Sequence, residues 1–193
     1  MKTHKPHLGT LVLALDAFRL DPRRRLFLGL KPPETAVDKC RRRRKVGCDL
    51  WVPPGGGIEK IDKSPRHCAQ RELFEEAGWR LPLNRFSKIG RLEGYFGSAR
   101  SEWQTARLKW IVHIYSVTVP PELKDGFICG DGFVKVRWFP IDCLPFHRMI
   151  DSDKVWLPQL VGPHHLVIKL MFDRKVGKLI RSELIPEYFG ERA

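Results

Sequence analysis

The chain has 193 residues, 42% of them hydrophobic and 30% charged, which is enough to bury one core and unlike the composition of a disordered chain. Its formal charge of +13 favours anionic partners (nucleotides, nucleic acid or acidic membrane surfaces) without choosing among them. Five scattered cysteines do not form the even framework of a secreted disulfide protein, and no apolar run is long enough to span a bilayer, so a cytoplasmic protein with no membrane partner is expected.

In chain order, Thr10 to Phe18 and Arg25 to Leu30 are apolar-rich runs separated by Asp21-Pro22-Arg23-Arg24, the pattern of two strands joined by a turn, here read as a hairpin that opens a sheet. A polar stretch follows at about 31–49, with two prolines and the basic run Arg41 to Arg44, and it reads as an exposed basic loop insertion. Cys40 and Cys48 lie in this stretch without the paired spacing a zinc site needs. Three consecutive glycines, Gly55 to Gly57, come next and allow close backbone approach to a ligand. Ser64-Pro65 is a helix start, with Ser as N-cap and Pro at the first helical position, and Gly78 is the matching stop.

Beyond that helix, Ser87 to Phe96, Ala106 to Val119 and Phe133 to Pro140 are rich in β-branched and aromatic residues and complete the sheet as further strands. Ile141 to Leu144 and Lys154 to Val161 read as helical turns, and Leu166 to Phe172 with Lys178 to Ile185 as a closing hairpin. The expected fold is α+β, with helices on a mixed sheet, and residues 1–193 form one expected domain.

The chemistry concentrates on the helix. Arg71-Glu72-Leu73-Phe74-Glu75-Glu76-Ala77-Gly78-Trp79 puts three acids close together, and helical spacing lets Glu72, Glu75 and Glu76 converge on one patch. Ala69, Leu73 and Ala77 recur at fourfold spacing on another side and anchor the helix to the core. Clustered carboxylates repel one another unless a cation compensates, which points to a hard metal such as Mg2+, with Mn2+ as the alternative. The competing reading is an ordinary acidic helix surface in which Arg71 simply pairs with Glu75.

Gly55 to Gly57 followed by Arg71-Glu72-Leu73-x-Glu75-Glu76-x-Gly78-Trp79 resembles the box of the Nudix hydrolases. That resemblance implies an α/β/α sandwich in which Glu72, Glu75 and Glu76 bind metal and supply the catalytic acid, Arg71 belongs to the catalytic set, and a carbonyl of Gly55 or Gly56 adds a ligand. The match departs in its first half: counting back from Arg71 puts Lys63 where the box has Glu, whereas counting forward from Gly56 puts Asp62 there through a bulge. Asp62 is the preferred reading because it keeps an acid in place. Downstream, where many members carry another acidic ligand before a strand containing Trp, the nearest acid preceding Trp138 is Asp131, farther away than usual.

The pattern further resembles the MutT/MTH-type oxidised purine nucleoside triphosphate hydrolases, through Thr10 to Leu15, Leu28 to Lys31, Lys88 to Gly90 and Trp138 to Phe146. This implies substrate contacts at Lys31, Val52, Ser152 and Asp153. The base-reading groups of that family are largely replaced, with Val52 at an Asn position, Ile150 at a Trp and Ser152 at the first of two acids, so oxidised-guanine specificity is not expected. Three readings stand. The leading one is a nucleoside triphosphate pyrophosphatase releasing monophosphate and pyrophosphate, acting on a nucleoside polyphosphate partner. The second is a Nudix hydrolase of dinucleotides, ADP-ribose or 5′-triphosphorylated RNA, and the third is a non-catalytic module that binds nucleotide or RNA.

Overall fold

The computed structural model describes residues 5–16, 23–33, 47–129, 132–161, 164–173 and 178–187. Cys40, Arg41 to Arg44, Asp131 and the turn at Asp21-Pro22 lie outside the described residues. One sheet carries the structure, built from β1 (His7–Leu15), β2 (Arg25–Leu30), β3 (Trp51–Val52), β4 (Ser87–Gly97), β5 (Arg107–Thr118), β6 (Lys135–Pro140), β7 (Leu166–Asp173) and β8 (Leu179–Pro186). The order is β3-β2-β1-β5-β4-β7-β8, with β6 on the other edge of β2. Pairing is mixed: β1 with β5 and β4 with β7 are parallel, while β4 with β5 and β7 with β8 are antiparallel.

Each face of the sheet carries a helix, α1 (Pro65–Ala77) on one and α2 (Asp153–Leu160) on the other. The alternation along β1 shows why both are needed. Val12 and Ala14 join the core under α1 with Ala69, Leu73 and Ala77, while Leu13 and Leu15 join Trp156, Leu157 and Leu160 on the α2 side. A strand covered on both faces reads as an unbroken apolar run, as Leu11 to Leu15 does. Helix α1 has the predicted ends: the Ser64 hydroxyl accepts the His67 N–H, and Gly78 takes the left-handed conformation at φ 76°. Helix α2 runs through Pro158 without a side-chain cap at Ser152. No helix among the described residues is long and apolar enough to cross a membrane.

Two expectations change. The β1/β2 hairpin is antiparallel but registers only at Leu15 and Leu26, because the segment after β3 wedges between the two strands. Strand β3 pairs with Gly29 and Leu30, and the following residues then bond to β1: Thr10 N–H to the Gly56 carbonyl at 2.9 Å, Val12 N–H to Pro54 at 2.8 Å and Ile58 N–H to Leu8 at 3.1 Å. The strand expected from Phe133 begins at Lys135, since the Phe133 ring turns onto the α-carbon of Gly29, where a Cβ would collide with it.

Candidate active site

The wedge fixes the glycine segment against β1 and beside the middle of α1. A Cβ on Gly55 would collide with the Thr10 carbonyl, so that position admits no side chain, while one on Gly56 would meet the Glu72 carboxylate at 2.5 Å and push it aside. Glu72 and Glu76, one helical turn apart, are therefore both buried against this loop, with 9% and 6% exposure. Glu76 Oε2 accepts the Gly55 N–H at 2.8 Å, and its Oε1 lies 3.5 Å from Lys31 Nζ. Gly132 closes the opposite side, where a Cβ would again collide with the Glu76 carboxylate.

Arg71 organises the other half. Its Nη1 lies 2.9 Å from Glu72 Oε1 and 2.8 Å from Glu75 Oε2, while Nη2 donates to the Gly57 carbonyl at 3.1 Å. The guanidinium also forms a two-pronged pair with Asp62, Nε to Oδ1 at 3.1 Å and Nη2 to Oδ2 at 3.0 Å. The Asp62 side chain is only 3% exposed, and the Arg71 hydrogen bond holds its carboxyl below the usual carboxylate range. Lys63 beside it is exposed. Asp62 also accepts the Glu59 N–H at 2.8 Å, which closes the turn entering the helix.

Burial pushes the Glu72 carboxyl up, and it pushes Glu76 up to about 7 against the opposing pull of Lys31 and the Gly55 N–H. Arg71 beside Glu72 and Lys31 beside Glu76 offset part of this buried negative charge. Among the described residues no three His, Cys, Asp or Glu side chains form a ready metal cluster, and Glu75 stands outward at 52% side-chain exposure in contact with Arg71. The donors are nonetheless of one kind, carboxylate oxygens beside backbone carbonyls, the set a hard divalent ion takes. The Gly56 carbonyl accepts the Thr10 N–H, one hydrogen bond on an oxygen with two lone pairs, so Gly55 and Gly56 both stay candidate carbonyl ligands.

The expected substrate residues divide. Lys31 stands at the acids. Val52 and Ser152 are each 5% exposed. Asp153 is 4% exposed, its Oδ1 accepts the Trp156 indole N–H at 3.2 Å, and burial pushes its carboxyl up to about 7. Sequence reasoning missed Gly29 and Gly132, whose bare α-carbons admit Phe133 and Glu76. For Gly29, an isolated glycine in a strand is the signal that marks such a close approach.

Comparison with known proteins shows the family and the fold. The NUDIX domain model matches residues 22–160. Diphosphoinositol polyphosphate phosphohydrolase 3-beta of Bos taurus is 34% identical over 118 residues, 59% of this chain and 64% of that protein. Diphosphoinositol polyphosphate phosphohydrolase 2 of Rattus norvegicus is 32% identical over 94 residues, 49% of this chain and 45% of that protein. The chain spans about half the length of the curated relatives it matches. Among solved structures, the MutT protein of Bacillus halodurans superposes with a TM-score of 0.60 at 17% identity, covering 94% of this chain and 99% of that one. The NUDIX domain of Shewanella oneidensis NrtR complexed with ADP ribose superposes with a TM-score of 0.55 at 14% identity, covering 82% and 87%. These structural likenesses speak to the fold.

Proposed function

This chain belongs to the NUDIX domain family, and on that premise we propose that it is a magnesium-dependent hydrolase of a phosphoanhydride bond. The observation that carries the proposal is the pair of buried carboxylates, Glu72 and Glu76, pressed against the Gly55-Gly56 segment. Glu72, Glu75, Glu76 and a carbonyl of Gly55 or Gly56 would hold Mg2+, with Mn2+ as a substitute. The bound ion supplies neutralisation of phosphate charge and a lowered pKa for water.

The protein groups do the rest. Arg71, held by Asp62, aims the carboxylates of Glu72 and Glu75. Lys31 balances Glu76 and can turn its ammonium to a phosphate oxygen of the substrate. One carboxylate of the trio accepts the proton of the attacking water.

For the substrate, a nucleoside triphosphate needs groups that read a base. Val52 is apolar and buried, and the Asp153 carboxylate is committed to Trp156. The curated relatives are named for diphosphoinositol polyphosphates, dense polyanions without a base, and the charge of +13 suits such a ligand. A diphosphoinositol polyphosphate therefore ranks first and a nucleoside triphosphate second.

A phosphate-release panel with Mg2+ tests both levels, using a diphosphoinositol polyphosphate, nucleoside triphosphates, ADP-ribose, dinucleotides and 5′-triphosphorylated RNA. Catalytic efficiency at least about tenfold higher on the first, the scale of one or two polar contacts, is expected. Higher efficiency on nucleotides would reverse the substrate order. Binding without release from any of them would make the chain a ligand-binding module and sink the hydrolase reading.

A further inference from the structure

Strand β8 lies at the end of the sheet opposite the glycine loop, and among the described residues no strand covers its outer edge. Its sequence, Leu179-Ile180-Arg181-Ser182-Glu183-Leu184-Ile185, is complementary to itself about Ser182. Read in opposite directions from that residue, Arg181 meets Glu183, Ile180 meets Leu184 and Leu179 meets Ile185. Ile180 and Leu184 are large apolar residues left 36% and 37% exposed. We propose that β8 is a self-recognition edge on which a second copy of this chain pairs antiparallel about a two-fold axis at Ser182, joining the two sheets.

The backbone phase supports that register. The Glu187 N–H bonds to the His165 carbonyl at 2.7 Å, and β7 and β8 pair in antiparallel register from Leu166 and Pro186 inward. Antiparallel ladders alternate, so the amides of Arg181, Glu183 and Ile185 turn toward β7 and those of Ser182 and Leu184 turn outward. An axis between residues would set outward amides against inward ones. An axis on Arg181 or Glu183 satisfies the backbone but sets like charges directly opposite, which destabilises a pair. Of the axes on Arg181, Ser182 and Glu183, the one on Ser182 satisfies both, and it forms two Arg181 to Glu183 contacts, one in each direction.

The present contacts of these side chains can yield. Arg181 lies 3.7 Å from Glu102, both largely exposed, and spreads over the Trp103 ring at 5.2 Å. Glu183 lies 3.5 Å from Lys169. The contact is short: a bulge between Met171 and Phe172 falls at Ile180, and Pro186 offers no N–H at the other end. A small interface of this kind implies a weak dimer.

Sedimentation velocity on the full chain, diluted from about 300 to 1 μM, the span over which a small interface dissociates, reads the association directly. The wild type is expected to dimerise toward the upper end. Ser182→Pro, which removes the outward N–H without touching the bonds to β7, is expected to be monomeric. Arg181→Glu and Glu183→Arg, which set like charges together, are each expected to be monomeric alone and to form a heterodimer when mixed in equal amounts. Far-UV circular dichroism matching the wild type shows that each variant is folded, and the mixture rescues association only through complementary charges. A wild type that stays monomeric throughout, dimers that survive Ser182→Pro, or a mixture that fails to associate would each overturn the proposal.

Discussion

At Asp62 the one-residue displacement of an acid is absorbed by a turn. The bulge carries the carboxylate to Arg71, while Lys63 stays in solvent. Asp62→Ala leaves a largely buried guanidinium without its two-pronged partner and is expected to cost on the order of 2 kcal/mol. Lys63→Ala is expected to stay within about 0.5 kcal/mol of the wild type. Urea denaturation of the two variants compares them, and equal losses would mean that Asp62 does not brace the helix.

Asp153 gives a pH-dependent prediction of the opposite sign to an ion-paired acid. Its folded pKa is raised to about 7 by burial, so the folded state holds a proton that the unfolded state releases near the ordinary carboxylate value. Its favourable contribution is present at acid pH and is lost as pH rises through about 7. Asp153→Asn keeps an acceptor for the Trp156 indole and removes the ionisation. It is expected to raise stability at pH 8 by on the order of 2 kcal/mol and to flatten the decline between acid and neutral pH. A variant with the wild-type slope over that range would show that another group titrates there.

Among the elements, those with a complete local signal read correctly from sequence alone. Helix α1 carries its Ser64 cap, its Pro65 and its Gly78 stop, and each sits where its own chemistry puts it. Strand β2 matched residue for residue because both its ends are marked. The wedge of the glycine segment between β1 and β2 was not legible, since it depends on hydrogen bonds between residues far apart in the chain, such as Thr10 and Gly56. That wedge predicts that Gly56→Ala displaces the Glu72 carboxylate. Turnover is expected to fall by roughly a hundredfold, the cost of misplacing a reacting group by about an ångström, with circular dichroism unchanged. Full activity in this variant would mean that the contact between Glu72 and the loop plays no part in catalysis.

Over the whole molecule, the acids were legible because clustered charge on one helix face is unusual, and the Arg71 to Glu75 pair was legible from its spacing, whereas the placement of Lys31 and Gly132 beside Glu76 was not. Lys31 comes from the end of β2 and Gly132 from the segment before β6, and only the closed sheet brings them to Glu76. Asp153 accepts the indole N–H of Trp156 within its own helix, a contact between residues three apart on one helix face.

We propose that the acids of α1 form one metal-dependent hydrolytic site. Steady-state phosphate release at saturating Mg2+ on the best substrate of the panel tests it most directly, comparing the wild type with Glu72→Gln, Glu75→Gln and Glu76→Gln. Each variant is expected to lose at least about a hundredfold in turnover while keeping the wild-type fold, since each removes a carboxylate charge from the site. Wild-type turnover in all three would make the helix an ordinary acidic surface and contradict the account.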